Sequence, residues 1–164
     1  MMLFSCENDL KTVKEFVPID SIQGLVAYNI DFIRSDSGRV TTELKAPLMN
    51  NIEGENGRLE FKKGFFATMY NAGVATSTIT AKYGVNYINT DLVFARDSVV
   101  VTNLETQETL YTEQLFWYRD THKIRTGTAV TIISPDKEIL GDSLVATDGF
   151  TTYTLYGIHA RIDF

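Results

Sequence analysis

The feature that most limits how this chain can fold is a strand-and-turn pattern that starts at Leu25 and continues to the C-terminus. Short runs rich in Thr, Val, Ile, Tyr and Phe alternate there with clusters of small and polar residues. β-branched and aromatic side chains fit a pleated strand, whereas the clusters favour turns. No interval carries the sustained apolar stripe of an amphipathic helix. The pattern therefore predicts an all-β, antiparallel meander, with turns at positions such as Asp36-Ser37-Gly38, Asn71-Ala72-Gly73 and Thr147-Asp148-Gly149.

An internal period narrows the architecture further. A similar strand start recurs about every 30 to 35 residues, and each repeat would contain two strands and two turns. A unit of this size cannot bury its apolar face alone, so stacking of the units into one continuous sheet roll is the natural solution. A β-sandwich with similar hairpin spacing is the alternative. The recurring starts are Leu44-Lys45-Ala46, Ile79-Thr80-Ala81, Leu110-Tyr111-Thr112 and Leu140-Gly141-Asp142.

The size and composition of the chain indicate one globular domain. It has 164 residues, of which 44% are apolar, a mean hydropathy of -0.07 and a formal net charge of -6. A negative chain is poorly suited to neutralise phosphates, which argues against a nucleic-acid partner. No stretch reaches the roughly 18 apolar residues of a membrane helix. We divide the chain into an N-terminal tether, residues 1–24, and a β domain, residues 25–164.

The single cysteine, Cys6, cannot form an internal disulfide. It follows Leu3-Phe4-Ser5, and Leu-x-Ser-Cys resembles the lipobox of bacterial lipoproteins, in which the cysteine carries the lipid. A complete signal also has a basic segment and an apolar stretch of roughly 7 to 15 residues before the cleavage site. Two interpretations stay open. Cys6 is a lipid-attachment site with an incomplete signal sequence in this chain, or it is an incidental thiol near an ordinary cytosolic start.

No arrangement of residues in the sequence indicates catalysis. His122 and His159 have no carboxylate or cysteine at a metal-ligand spacing. The motifs of serine nucleophiles, zinc proteases and phosphate-binding loops do not occur. Lys62 and Lys63 suit a lipid phosphate, but adjacent lysines more often form a solvated hairpin tip. The sequence therefore predicts that the protein is no enzyme and needs neither a metal nor a cofactor.

Seven segments of the β domain form an ordered set: Ser35–Val40, Ala46–Met49, Phe61–Gly64, Ser77–Tyr83, Glu108–Trp117, Lys123–Thr126 and Glu138–Gly141. In order and spacing they resemble the LptC family, the periplasmic component of the lipopolysaccharide export machinery, in its Bacteroidetes-type lipoprotein form. The resemblance covers residues 35–164, with the lipobox-like Cys6 in the expected place upstream.

This resemblance implies a fold and a function. The expected fold is an open, twisted antiparallel β-roll, the β-jellyroll shared by LptA-like and LptC-like proteins, with an apolar trough for acyl chains. The expected function is lipopolysaccharide transport in the periplasm by a protein anchored to the inner membrane. It would receive lipopolysaccharide from the ABC transporter of LptF and LptG with LptB, and pass it to an LptA-like β-roll protein. The alternative function is a periplasmic or surface β-repeat scaffold without lipid cargo.

The resemblance also assigns two sets of site residues. Sequence alone does not decide which strand faces point inward, because one bulge reverses the alternation. We expect lipid-facing residues among Ile79, Ala81, Val99, Val101, Leu110, Leu115, Trp117, Val130 and Ile132. Partner edges are expected at both ends of the roll, and a free edge of this kind also predicts end-to-end homodimers of the isolated protein. The edge residues are Leu25, Tyr28 and Ile30 upstream and Tyr153, Leu155 and Ile158 downstream.

The chain departs from the family pattern at two backbone positions. Gln107 stands where a glycine is expected in the turn before Thr109, and Gly141-Asp142-Ser143 replaces a common Gly-x-Gly. Since a residue with a Cβ disfavours positive φ, we expect a different turn type at these places.

Overall fold

The computed structural model describes residues 24–161, which form an antiparallel sheet of fourteen strands. No helix long and apolar enough to cross a membrane lies in this described part. Cys6 and the rest of the predicted tether up to residue 23 lie outside it. The strands are β1 Gly24–Asp36, β2 Arg39–Ile52, β3 Arg58–Phe61, β4 Phe65–Asn71, β5 Val74–Ala81, β6 Tyr83–Tyr87, β7 Leu92–Asn103, β8 Thr109–Tyr118, β9 Lys123–Thr126, β10 Val130–Ser134, β11 Lys137–Gly141, β12 Ser143–Thr147, β13 Tyr153–Tyr156 and β14 His159–Arg161.

The sheet is folded into two layers that share their long strands. Layer A has the strand order β1-β2-β4-β5-β7-β8-β10-β11-β14, and layer B has the order β1-β2-β3-β6-β7-β8-β9-β12-β13. Strands β1, β2, β7 and β8 belong to both layers, because one part of each strand pairs in layer A and the other part in layer B. The remaining strands cross as successive pairs, for example β5 in layer A and then β6 in layer B. Each crossing segment pairs with the segments before and after it.

The chain passes from one layer to the other along a line that we call the corner. Several residues at the corner interrupt the regular pairing of the strands. In β1, Asn29 has a φ of 49° and lies opposite Pro47, which has no N–H to donate. In β7, Asp97 and Ser98 both have positive φ, and the register with β8 shifts there. Bulges of this kind bend a strand and increase its twist, so they turn the sheet at the corner.

The repeat predicted from the sequence corresponds to one round trip between the layers. The aligned starts at residues 44–46, 79–81, 110–112 and 140–142 all lie where a strand leaves layer A for layer B. Long strands that cross both layers are a property of the roll and not of a sandwich of separate sheets. The predicted all-β roll of two-strand repeats is therefore confirmed. The roll is open, because its end strands do not pair with each other. Within residues 24–161, β1 pairs only with β2, and β13 pairs only with β12.

A single core lies between the layers and follows from the alternation of side chains along each strand. In β4, Phe65, Ala67 and Met69 are buried, whereas Phe66 between them is 44% exposed. The period of two places every second residue on the inner face. Layers A and B both contribute to this core.

The turn at Gln107 differs from the sequence expectation. Gln107 has a positive φ of 60°, a conformation that glycine adopts readily, so this turn has a glycine-like backbone although the residue carries a Cβ. The Asn103 side chain holds the loop that contains Gln107. Its Oδ1 accepts hydrogen bonds from the backbone N–H groups of Glu105 and Thr106 at 2.9 and 3.0 Å. These bonds stabilise a conformation that a non-glycine residue disfavours.

Candidate functional site

The nine residues expected to face lipid all point into the interior. Eight of them are buried and Trp117 is half-buried and packed against the core. In β8 the alternation shifts by one residue, because Thr112 and Leu115 are both buried and two exposed residues, Glu113 and Gln114, lie between them. Burial establishes where these side chains lie, and their contact with lipid stays a prediction.

The interior differs between the two halves of the roll. In the N-terminal half it contains a cavity of about 80 Å³. In the C-terminal half the side chains of Leu110, Ile132 and Leu144 are completely buried in the core. The cavity therefore marks the less tightly filled part of the groove. Among its lining residues are Phe61, Phe65, Met69, Ile79, Leu115 and Trp117.

Only three of the nine predicted residues, Ile79, Leu115 and Trp117, line this inner cavity. The aromatic and thioether side chains of β3 and β4 make up another part of its wall and were missed. Their signal was present in the sequence, because Phe65-x-Ala67-x-Met69 has the period of a strand with one apolar face.

The inner cavity opens on the side of the roll opposite the corner, which we call the mouth. There an outer basin of about 410 Å³ lies between the ends of β1, β2, β4 and β5 and the loops that follow β8 and β12. The cavity and the basin share part of their lining, and so form one continuous recess. The shared residues are Arg34, Thr42, Met69, Trp117 and Arg119.

Charged groups stand at the mouth. The Arg119 Nη2 lies 3.1 Å from the Asp91 Oδ1, and the Arg119 side chain is only 16% exposed. Burial lowers the pKa of Arg119, the nearby Arg34 lowers it further, and Asp91 opposes both effects. His122 is the third basic residue there, and its Nδ1 lies 2.8 Å from the Asp148 Oδ2.

Two buried polar atoms of the cavity lining have no hydrogen-bond partner among the described residues. They are the Trp117 Nε1, a donor, and the Asn86 Oδ1, an acceptor. Buried polar atoms in native proteins are nearly always paired with protein or water, so an unpaired one needs an explanation. Both atoms belong to residues that line the mostly apolar inner cavity, where a ligand or water can supply the missing partners.

In the C-terminal half, the loop after β12 closes the mouth with an aromatic side chain. Phe150 is 1% exposed, and its ring stacks on that of Tyr153 with centroids 5.3 Å apart. The Asn103 Nδ2 donates to the Phe150 carbonyl at 2.9 Å, and the Tyr153 hydroxyl donates to the Glu108 Oε1 at 3.1 Å. These contacts join the two layers across the mouth.

The two expected partner edges lie at opposite ends of the roll. Leu25 and Tyr28 of β1 are exposed, whereas Ile30 packs against the core. At the other end Tyr153 and Leu155 pack against the core and Ile158 is exposed. Strand β14 pairs with β11, so it does not cover β13. Both ends therefore present strand edges that the described residues leave unpaired.

An open, folded antiparallel sheet with an apolar recess and a free edge at each end defines a β-jellyroll with a binding groove. The family model described as "Lipopolysaccharide-assembly, LptC-related" matches residues 17–158, which is most of the chain. The protein belongs to this LptC-related family, which confirms the resemblance found in the sequence. No curated protein matches the chain.

Membership gives the protein its general role. The family consists of periplasmic, inner-membrane-associated components of lipopolysaccharide transport. Its partners, in general terms, are lipopolysaccharide and the components of the export bridge.

Proposed function

We propose that this protein takes lipopolysaccharide from the inner-membrane transporter of LptF and LptG with LptB, and passes it to an LptA-like β-roll. The observation that carries this proposal is the recess in the N-terminal half, where an apolar cavity is continuous with an open mouth. Acyl chains that enter it leave water for an apolar wall, which is favourable by roughly 25 cal/mol per Å² of buried surface. The present cavity is too small for a whole chain, so loading requires movement of the layers.

The two free edges support a proposal for the direction of transfer. We place the transporter at β1, beside the recess, and the LptA-like protein at β13. An unpaired edge offers backbone N–H and C=O groups to a strand of the next protein, which extends the sheet and the groove together. Strand β13 suits this role because its residues, Tyr153–Tyr156, carry no charge that would repel a partner.

A scaffold without lipid cargo is the second candidate. The observation that favours it is the filled interior of the C-terminal half, where Leu110, Ile132 and Leu144 leave no exposed surface. In that case the roll would only connect its neighbours, and the small cavity would be a packing defect.

Photo-crosslinking distinguishes the two functions. A photoreactive phenylalanine analogue at Phe65 faces the cavity, and the same analogue at the adjacent Phe66 faces outward and serves as the matched control. For a lipid carrier we expect lipopolysaccharide adducts at position 65 and few at position 66. Adducts at neither position would favour the scaffold. Equal adducts at both would mean that lipid touches the surface without entering the groove.

The downstream edge has its own test. The Thr147 N–H donates to the Thr152 carbonyl, so these two residues form a hydrogen-bonded pair of the β12–β13 ladder. Such pairs alternate along antiparallel strands with pairs that are not hydrogen-bonded. The N–H groups of Tyr153 and Leu155 therefore point away from β12 and toward the free edge. A lysine on an edge strand opposes pairing with another strand. We therefore expect Thr154→Lys to weaken binding of an LptA-like protein, and Thr121→Lys, in the β8–β9 turn, to leave it unchanged. Equal binding by both variants would remove β13 as the docking edge.

We also propose that Cys6 is acylated and holds the β domain at the inner membrane. Two or more acyl chains anchor a protein stably without a transmembrane helix. The test is cell fractionation of a Cys6→Ala variant expressed with any upstream coding sequence included. Release of the variant from the membrane would support the tether. A variant that stays fully with the membrane would be held there by its partners instead.

A further inference from the structure

The mouth of the recess places two arginines at the entrance to a mostly apolar cavity. Arg34 is in β1 of layer A and Arg119 directly follows β8 of layer B, so the two arginines stand on opposite sides of the mouth. Both line the inner cavity and also the outer basin. Any molecule that enters the cavity from the basin therefore passes between them.

Three carboxylates also lie near the mouth, and two of them have a basic partner. Asp91 pairs with Arg119, Asp148 contacts His122, and Asp36 accepts a hydrogen bond from the Ser37 hydroxyl at 3.1 Å. The Arg34 guanidinium, in contrast, makes no ion pair or hydrogen bond with another described residue. The lowered pKa of Arg119 indicates that its positive charge is poorly solvated and is repelled by Arg34. An anion between the two guanidinium groups would relieve both effects.

A third donor points to the same ligand chemistry. The Trp117 Nε1 is buried without an acceptor among the described residues, and Trp117 lines both the cavity and the basin. A phosphate group offers several acceptor oxygens at one centre, and guanidinium groups bind it with paired hydrogen bonds. Two guanidinium groups and one indole N–H therefore suit a phosphate that is attached to an apolar chain.

We propose that Arg34, Arg119 and Trp117 form a site for the phosphate group of a phosphorylated lipid whose acyl chain occupies the inner cavity. This inference rests on the proposed transport function and adds the part of the lipid that the mouth recognises. It gives the bound lipid an orientation, with its head at the mouth and its chain toward the corner. Free phosphate has the same head chemistry but lacks the chain.

The protein carries its own reporter for this site, because Trp117 is its single tryptophan. We would titrate the 164-residue chain, followed by tryptophan fluorescence, with three probes: dodecyl phosphate, dodecyl maltoside and inorganic phosphate. The two dodecyl compounds have the same chain and differ in head charge, and both are used below their micellar concentrations. We expect dodecyl phosphate to bind roughly tenfold or more tightly than dodecyl maltoside, as for a hydrogen bond to a charged group.

Variants then assign the head to the arginines. Arg34→Gln and Arg119→Gln should each lower the affinity for dodecyl phosphate toward that for the maltoside, with the affinity for the maltoside unchanged. Arg34 is exposed, so its variant tests the site even if Arg119→Gln fails to fold. Arg125→Gln is the matched control, since Arg125 lies on the outer side of β9 over the Tyr118 ring. It should bind all three probes like the original protein.

The outcomes separate this inference from the function on which it rests. Equal affinities for the two dodecyl compounds, unchanged in the arginine variants, would overturn the phosphate site and leave an acyl-binding groove. Inorganic phosphate that binds as tightly as dodecyl phosphate would show a site for the free ion, which also overturns the inference. No binding of either dodecyl compound would overturn the phosphate site and the proposed lipid transport together.

Discussion

Replacement of Phe150 by alanine should destabilise the protein more than its position in a loop suggests. The ring is 1% exposed and stacks on Tyr153, so its removal leaves a cavity in the core at the mouth. Deletion of a buried phenylalanine side chain costs about 3 to 5 kcal/mol. The stacked pair contributes roughly 0.5 to 1.5 kcal/mol beyond its burial, which places the expected loss in the upper part of that range. The hydrogen bond from the Asn103 Nδ2 to the Phe150 backbone carbonyl does not involve the ring, so the measured loss belongs to the Phe150 side chain.

The assay is equilibrium unfolding in urea, followed by circular dichroism and by Trp117 fluorescence. With a slope of about 2 kcal/mol per molar urea, the transition midpoint should fall by about 2 to 2.5 M. Phe66→Ala is the matched control, because it removes the same atoms from an exposed site and should cost at most about 1 kcal/mol. The two probes should report the same midpoint if the roll unfolds as one unit.

A midpoint for Phe150→Ala that equals that of Phe66→Ala would refute the reasoning. It would mean that the loop after β12 lies on the surface in solution and that the C-terminal half of the mouth is open. The expected loss, in contrast, would show that the Phe150 ring is buried at the mouth in solution.

Three further substitutions test local features of the backbone and of the charge distribution. Gln107→Gly should raise the free energy of unfolding by about 0.5 to 1 kcal/mol in urea titrations, because glycine accepts the positive φ there, whereas Gln107→Ala should give no gain. Gly64→Ala should lower the free energy of unfolding by roughly 2 kcal/mol or more, since the new Cβ would lie 2.6 Å from the Ala81 carbonyl oxygen. Gly73→Ala is its control: Gly73 has a similar φ but no close neighbour, so this change should cost only about 1 kcal/mol. Burial, assisted by the nearby Glu108, raises the pKa of the Tyr153 phenol in the folded protein. The stabilisation that comes from this shift is therefore complete below about pH 10, the pKa of an unfolded tyrosine, and is lost as the pH rises through the pKa of Tyr153 in the folded state. Tyr153→Phe should therefore show a shallower loss of thermal stability between neutral and alkaline pH than the original protein, and an unchanged slope would contradict this assignment.

The architecture could be read from the sequence because its signals are local. Alternation such as Phe65-x-Ala67-x-Met69 identifies a strand with one buried face, and the recurring starts identify the round trip between layers. The nine residues that the family resemblance assigned to the groove lie on the inside of the roll, and their contact with lipid stays a prediction. Pairing partners followed from the repeat, since each crossing segment contacts the next one.

The state of the interior could not be read in this way. Whether a groove is empty or filled depends on how side chains from distant strands meet, as Phe61 and Trp117 do at the cavity. Phe150 follows the turn signal Thr147-Asp148-Gly149, and only its contacts with Asn103 and Tyr153 make it a core residue. Arg34 and Arg119 likewise come together only because the two layers face each other at the mouth.

The pairing of every crossing segment with only its sequence neighbours also has a consequence for folding. An all-β protein usually folds slowly because its strands must find partners far along the chain. Here each hairpin supplies the template for the next, so the sheet can form by stepwise addition from any starting hairpin, as in repeat proteins. Contacts across the mouth, such as the hydrogen bond from Asn103 to the Phe150 carbonyl, join residues that are 47 positions apart in the sequence. The roll can therefore assemble its sheet as the chain emerges, and closing of the mouth is left as the last step.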